Sequence, residues 1–341
     1  MAELFGNLID GLTFVTGIIP ILTITLGVIM GIIAGATPGL SPSMGVALLV
    51  PFTYAMSPTL ALILLVAIYI AANYGGSITA VTINAPGTPS SVVTAFDGYP
   101  LTKKGKPGLA LGVSLVASTV GGIIGTLILI FFSGPLAKFA LKFHPAEYFA
   151  LAIFGLTTVA SLGGKNWIKA FIAAMFGLLL NTVGIDPISG VSRFTFGFSF
   201  LYDGFALIPA LIGLFALSEI FKQLEGGDFS SQQVAPGKQE WPTASTYWKL
   251  KNTIMRSSFM GTIIGIFPGA GATIAAFISY DVTKRMSKTP EEFGKGSLEG
   301  VAAAEGANSS SVGGALIPLL TLGIPGSAST AVLIGALMIH D

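Results

Sequence analysis

The chain has 341 residues and a net charge of +1, with 52% of residues hydrophobic and 10% charged. Soluble globular chains carry ~25% charged residues to cover their surface, so a water-soluble fold is excluded, and the near-neutral balance leaves no electrostatic footprint for nucleic acid. There is no cysteine, which excludes disulfides, thiolate metal sites and thiol catalysis.

From Gly11 to Phe96 there is no Asp, Glu, Lys or Arg, and uncharged runs recur at Pro107–Ala137, Tyr148–Gly164, Ala170–Ile185, Gly204–Ser218 and Ser257–Tyr280. Each approaches or exceeds the ~20 residues that cross the hydrocarbon as a helix. The runs are continuously apolar rather than alternating, which favours helices over a membrane β-barrel. The expected fold is all-α, a polytopic membrane helical bundle with inverted repeats and Pro/Gly-broken or re-entrant helices. In chain order the expected segments are 13–36, 43–71, 74–96, 108–133, 147–163, 166–185, 202–221, 254–280, 297–312 and 313–339. The first lacks a small-residue cleavage pattern and reads as a retained helix. Residues 1–221 read as a first membrane repeat, 222–252 as a polar inter-repeat loop and 253–341 as the start of a second, incomplete repeat.

The repeat is visible in two motifs. Met30-Gly-Ile-Ile-Ala-Gly-Ala-Thr-Pro-Gly39 matches Met260-Gly-Thr-Ile-Ile-Gly-Ile-Phe-Pro-Gly269, and Pro86-Gly-Thr-Pro-Ser-Ser91 corresponds to Pro325-Gly-Ser-Ala-Ser-Thr330. An Asn and a glycine pair precede the second motif in both halves, Asn73 with Gly75-Gly76 and Asn308 with Gly313-Gly314. Chance likeness among glycine-rich helices would explain one match; two in the same order point to duplication. Between the motifs, the Phe52–Pro58 turn is uncharged, whereas its counterpart carries Lys284, Arg285, Lys288 and Lys295. Positive residues favour the cytoplasm, so the halves are expected upside-down relative to one another, as in alternating-access transporters.

Catalytic chemistry finds little support. His144 and His340 have no carboxylate at metal-ligand spacing, no pair of Asp lies within the apolar runs, and Lys165, Asp186 and Arg193 stand at segment ends, where snorkelling accounts for them. The Pro-Gly sites carry more. Proline removes a backbone donor and glycine permits unwound backbone; half-helix N-termini attract carboxylates, and unwound carbonyls suit Na⁺. Two readings stand for the Gly, Ser and Thr around them: close helix packing in lipid, or ligand contact. On the second, Ser90, Ser91 and Gly87, with Ser327, Ser329 and Gly326, are the expected substrate contacts. Asn84, Thr88, Pro38, Gly39, Pro268, Gly269, Asn308 and Thr330 would support the loops or hold a cation. Glu305 is either an intramembrane carboxylate with a function or an interfacial charge at a helix start.

Gly35–Gly39, Asn73–Thr79, Asn84–Gly87, Phe96–Pro100, Gly265–Gly271, Glu299–Glu305 and Leu322–Ser327 together resemble the large membrane subunit (TctA type) of tripartite tricarboxylate transporters, over nearly the whole chain. The chain departs from that pattern at Ser309-Ser310, where an Asn-Asn pair is common, and at Ala304, where Pro is common. The resemblance implies a subunit of the bacterial or archaeal cytoplasmic (inner) membrane that imports a carboxylate by cation symport, usually with Na⁺ and without ATP. It also implies a small membrane subunit (TctB type) and a periplasmic binding protein (TctC type) as partners, and no organic cofactor. No Walker A motif occurs, which agrees. A passive channel and an intramembrane enzyme are the rival classes. The resemblance further implies a longer protein, so a chain ending at His340-Asp341 reads as lacking a C-terminal third.

Overall fold

A computed structural model describes residues 2–37, 40–140, 144, 146, 149–150, 153, 167–185, 191–202, 204–205, 240–267 and 271–340. Among these residues the fold is helical: α1 (Ala2–Val15), α2 (Ile18–Ala36), α3 (Pro42–Thr53), α4 (Pro58–Ile83), α5 (Ser91–Lys103), α6 (Pro107–Ala140), α7 (Trp167–Asn181), α8 (Ala244–Ile266), α9 (Gly271–Met286), α10 (Leu298–Leu322) and α11 (Ala328–Ile339). A two-residue antiparallel pairing, Gly184–Ile185 with Ser192–Arg193, is the one sheet among the described residues. α2, α4 and α6 are long and apolar enough to span a bilayer, and exposed Ile, Leu and Phe side chains cover the outside of α2 and α6. The chain is a multi-pass helical membrane bundle. Most of the expected segments 147–163 and 202–221 and of the polar loop lies outside the described residues; α8 begins at Ala244, inside the segment read as loop.

The expected segments 43–71 and 254–280 are each two helices, α3 with α4 and α8 with α9, and the boundaries expected at the glycine pairs are displaced. Segments were expected to end near Asn73 and between Val312 and Gly313, at the glycine pairs. Instead α4 and α10 run unbroken through them and stop at Ile83 and Leu322. The glycines are contact points. A side chain at Gly75 would strike the Ile32 carbonyl of α2, and one at Gly314 the Thr262 carbonyl of α8. Helices in lipid associate by such close backbone approach, because apolar burial gives them no preference over lipid. The breaks fall where left-handed backbone occurs, at Asn84 (φ 55°) and Gly323 (φ 67°), each a residue type that tolerates it.

The same contacts recur in the two halves. Gly31 meets Ile68 and Ala71, as Gly261 meets Ala307 and Ser310; Gly35 meets Ala72, as Gly265 meets Ser311; Gly87 meets Gly35, as Gly326 meets Gly265. Along α4 and α10 and on through the following loop the interval is 239 residues throughout, from Ile68 and Ala307 to Asn84 and Gly323. This corrects the expected pairing of the Asn-Gly motifs: Gly75-Gly76 is equivalent to Gly314-Ala315, Asn73 to Val312, and Asn308 to Tyr69. Thus α2–α5 and α8–α11 are two copies of one four-helix unit. The equivalent helices α4 and α10 lie antiparallel. Leu65, Ile68 and Tyr69 share a core with Val312, Leu316 and Leu319, Ser77 reaches Glu305, and Val81 packs with Val301 and Ala302. α6 lies parallel to α10, its Gly121 and Gly125 set against Gly306 and Ser310.

Candidate functional site

Each copy carries a break between a long helix and a short one. In the first, Gly87 is wedged between the Gly35 carbonyl and the Gly76 Cα, where no side chain fits, and its N–H donates to the Gly76 carbonyl at 3.3 Å. The turn into α5 is then held by a reciprocal pair. Ser91 N–H donates to Thr88 Oγ1 (3.3 Å), Thr88 N–H to Ser91 Oγ (3.2 Å), and the Ser91 hydroxyl to the Thr88 carbonyl (2.8 Å). The second copy repeats all three bonds. Thr330 N–H donates to Ser327 Oγ (3.3 Å), Ser327 N–H to Thr330 Oγ1 (2.8 Å), and the Thr330 hydroxyl to the Ser327 carbonyl (2.8 Å). Such reciprocal capping satisfies the orphan amides of a helix start.

The two breaks touch the same helix. Tyr69 Oη of α4 hydrogen-bonds Ser327 Oγ at 2.9 Å, and Thr88 sits against Gly76 of α4. Seven residues of helix separate these contacts, about 10 Å along the axis. Thr88, Ser90, Ser91, Ser329 and Thr330 are buried, whereas Asn84 is exposed and caps the end of α4. Ser90 Oγ hydrogen-bonds Thr88 Oγ1 at 3.1 Å. Asn308, one of the expected support residues, is fully buried with neither amide atom hydrogen-bonded among the described residues. A buried amide with nothing to bond is costly. Pro38, Gly39, Pro268 and Gly269 lie outside the described residues, although Gly271, just past the second pair, comes against Ser327.

Two carboxylates are more buried than sequence reasoning anticipated. Glu305 is fully enclosed and stands at the eighth position of α10. Ser77 of α4 donates to its Oε1 at 2.6 Å, Thr94 of α5 donates to the same oxygen, and Ser118 of α6 donates to Oε2 at 2.7 Å. No ion pair reaches it among the described residues. Asp97, not singled out from the sequence as a functional group, is also fully buried. Its Oδ1 accepts the N–H groups of Gly294, Gly296 and Ser297, each at 2.8 Å, and its Oδ2 accepts the Tyr280 hydroxyl at 2.8 Å. It clips α5 of one copy to the loop before α10 of the other. Its place in the Phe96–Pro100 motif, in an otherwise uncharged stretch, was the available signal. A groove of about 830 Å³ between α2, α4, α6 and α10 is almost wholly apolar; Tyr74, Ser118 and Ser309 are among its few polar residues. The expected serines at the breaks do not line it.

The family model of the tripartite tricarboxylate transporter TctA family matches residues 21–341. An uncharacterised 52.8 kDa protein of Agrobacterium vitis, from the TAR-I ttuC' 3' region, is 40% identical over the whole chain and 68% of its own length. A second uncharacterised protein of that organism, from the TAR-II ttuC' 3' region, is 47% identical over 24% of the chain and 33% of its own length. No solved structure matches. The chain belongs to the tripartite tricarboxylate transporter TctA family.

Proposed function

We propose that the chain forms the translocation unit of a binding-protein-dependent importer of tricarboxylates or related carboxylates, driven by a cation gradient, with Na⁺ as the expected coupling ion. The observation that carries the reading is the pair of equivalent helix breaks, contributed by two antiparallel copies and meeting α4 about two turns apart. Transporter sites form at such interfaces between broken helices. The two four-helix copies, residues 18–103 and 244–339, are the proposed membrane repeats, in the inner membrane of a bacterium or archaeon. Few basic residues reach this interior, so a carboxylate would be held by hydroxyls, amides and the N-termini of α5 and α11. A small membrane subunit and a periplasmic binding protein are the proposed partners.

Uptake of a labelled tricarboxylate into proteoliposomes, with the cognate binding protein and small subunit supplied, tests the reading. Uptake should require the binding protein and an imposed cation gradient but not ATP; uptake unchanged after both the Na⁺ and proton gradients are collapsed would refute symport. Among the proposed contacts, Ser90 and Ser329 take no part in the reciprocal caps. Ser90→Ala and Ser329→Ala are therefore the cleaner variants, each expected to weaken apparent substrate affinity roughly ten- to a hundredfold, the loss from one charge-assisted hydrogen bond.

A further inference from the structure

The relation between the two copies makes it possible to ask what stands at the equivalent of each functional group. The carboxyl cluster around Glu305 gives a sharp answer. At the same interval of 239 residues, Glu305 corresponds to Val66, Ser77 to Leu316, and Thr94 to Leu333. Those three residues share one apolar cluster: Leu316 and Leu333 belong to its buried core and Val66 packs against it. One geometric position is therefore occupied by hydrocarbon in one copy and by a carboxyl with two hydroxyls in the other. The fold closes there without polar groups, so packing does not account for the polar set. α6, which lies outside the repeated unit, adds Ser118, with Ser114 fully buried one turn before it.

A carboxylate removed from water without a compensating positive charge is heavily penalised. Three hydroxyl donors from three helices reduce that cost without neutralising the charge. The other charged or titratable groups on the buried faces of the neighbouring helices do not supply it. Asp97 of α5 is occupied by three amides and by Tyr280 of α9. Arg256 of α8 is directed to Thr283 and Met286. Tyr74 of α4 carries no cationic group and lines the groove beside Ser118. What the cluster lacks, among the described residues, is one positive charge small enough to enter. Ser118 and Tyr74 also line the groove between α2, α4, α6 and α10, so the carboxyl lies one side chain from an opening.

We propose that Glu305, with Ser77, Thr94 and Ser118, is the binding site of a monovalent cation, either a proton carried on the carboxyl or a Na⁺ ion held by the carboxylate and hydroxyl oxygens. As a coupling site it rests on the symport reading above and names where that reading is realised; as a cation site it can be tested without transport.

The test uses the full-length protein purified with its small subunit, and two probes. Saturable ²²Na⁺ binding at fixed pH reports a sodium site. A carboxylic-acid carbonyl band in infrared difference spectra, titrating in Na⁺-free buffer, reports a proton site. One of the two responses is expected in the native protein and its absence in Glu305→Gln. Ser77→Ala and Ser118→Ala should each shift the half-saturating cation concentration by about tenfold, the loss from one oxygen contact to a charge. Neither response in the native protein overturns the proposal, and so does a response that survives Glu305→Gln unchanged. If Glu305→Gln does not fold, the two serine variants decide: unshifted binding overturns the site, shifted binding supports it. Cation binding in a protein whose uptake ignores imposed gradients would leave this site standing and remove the symport reading alone.

Discussion

Asp97 offers the most direct test of how the two copies are joined. Its carboxylate accepts four hydrogen bonds, three from backbone amides of the loop before α10 and one from Tyr280 of α9. A hydrogen bond to a charged group contributes about 1.5–3 kcal/mol, roughly twice a neutral one. Asp97→Asn keeps the shape and one acceptor oxygen but loses the charge, and its amide group faces a phenol that needs an acceptor. The expected loss is about 2–4 kcal/mol. Asp97→Ala strands three amides and a hydroxyl at about 1–3 kcal/mol each, a sum comparable with the whole stability of a typical domain, so that variant should not accumulate as folded protein. Tyr280→Phe removes a single donor and should cost about 1–2 kcal/mol. Reversible unfolding in mixed micelles, followed by far-UV circular dichroism, gives these differences. The double variant Asp97→Asn/Tyr280→Phe should fall short of additivity by about 1 kcal/mol, as partners in direct contact do. An Asp97→Asn protein within about 0.5 kcal/mol of the native one would refute the clip.

Other consequences follow from the same geometry. Gly35→Ala and Gly265→Ala place a methyl group on a neighbouring helix's carbonyl and should each cost at least about 2 kcal/mol in the same assay, as overpacking does; Gly122→Ala, with nothing within 4 Å of the added carbon, should stay within about 0.5 kcal/mol. Ser91→Ala and Thr330→Ala each remove a reciprocal cap and should lower stability by about 1 kcal/mol each, a control that any transport defect in those variants has to be set against. Because the chain has no native cysteine, single cysteines introduced at 52–58 and at 284–295 report sidedness cleanly. Labelling by a membrane-impermeant maleimide is expected from opposite faces, and labelling of both from one face would reject the inverted orientation.

Much of this architecture was legible in the sequence because lipid imposes a coarse code: uncharged stretches long enough to cross must be helical. The duplicated Pro-Gly motifs gave the repeat for the same reason, since broken backbone is tolerated only where it is used. The glycine pairs were misleading because the same residue serves two purposes that composition does not separate. Gly75 and Gly314 let a neighbouring carbonyl approach a continuous helix, whereas Gly323 adopts the left-handed conformation that ends one. Only the three-dimensional partners distinguish them, and α4 and α10 were cut at the wrong place as a result. The short amphipathic α1 escaped notice because Asp10 interrupts its apolar pattern.

The polar groups were legible in kind and not in arrangement. Ser91 and Ser327, read as substrate contacts, are engaged in capping their own helices, together with Thr88 and Thr330, which were read as loop or cation support. The strongest polar cluster was instead assembled from residues scattered between Ser77 and Glu305, whose proximity follows only from α4 and α10 running antiparallel. A pairwise sequence match between the halves stresses what the copies share, the Pro-Gly breaks and the glycine contacts, and those shared features build the frame. A symmetric frame offers the same groups twice, so a site that occurs once has to be built from residues that differ between the copies. At Glu305, Ser77 and Thr94 against Val66, Leu316 and Leu333 the duplicated fold departs from its own symmetry in polarity, and that is where the cation site proposed above has a physical place.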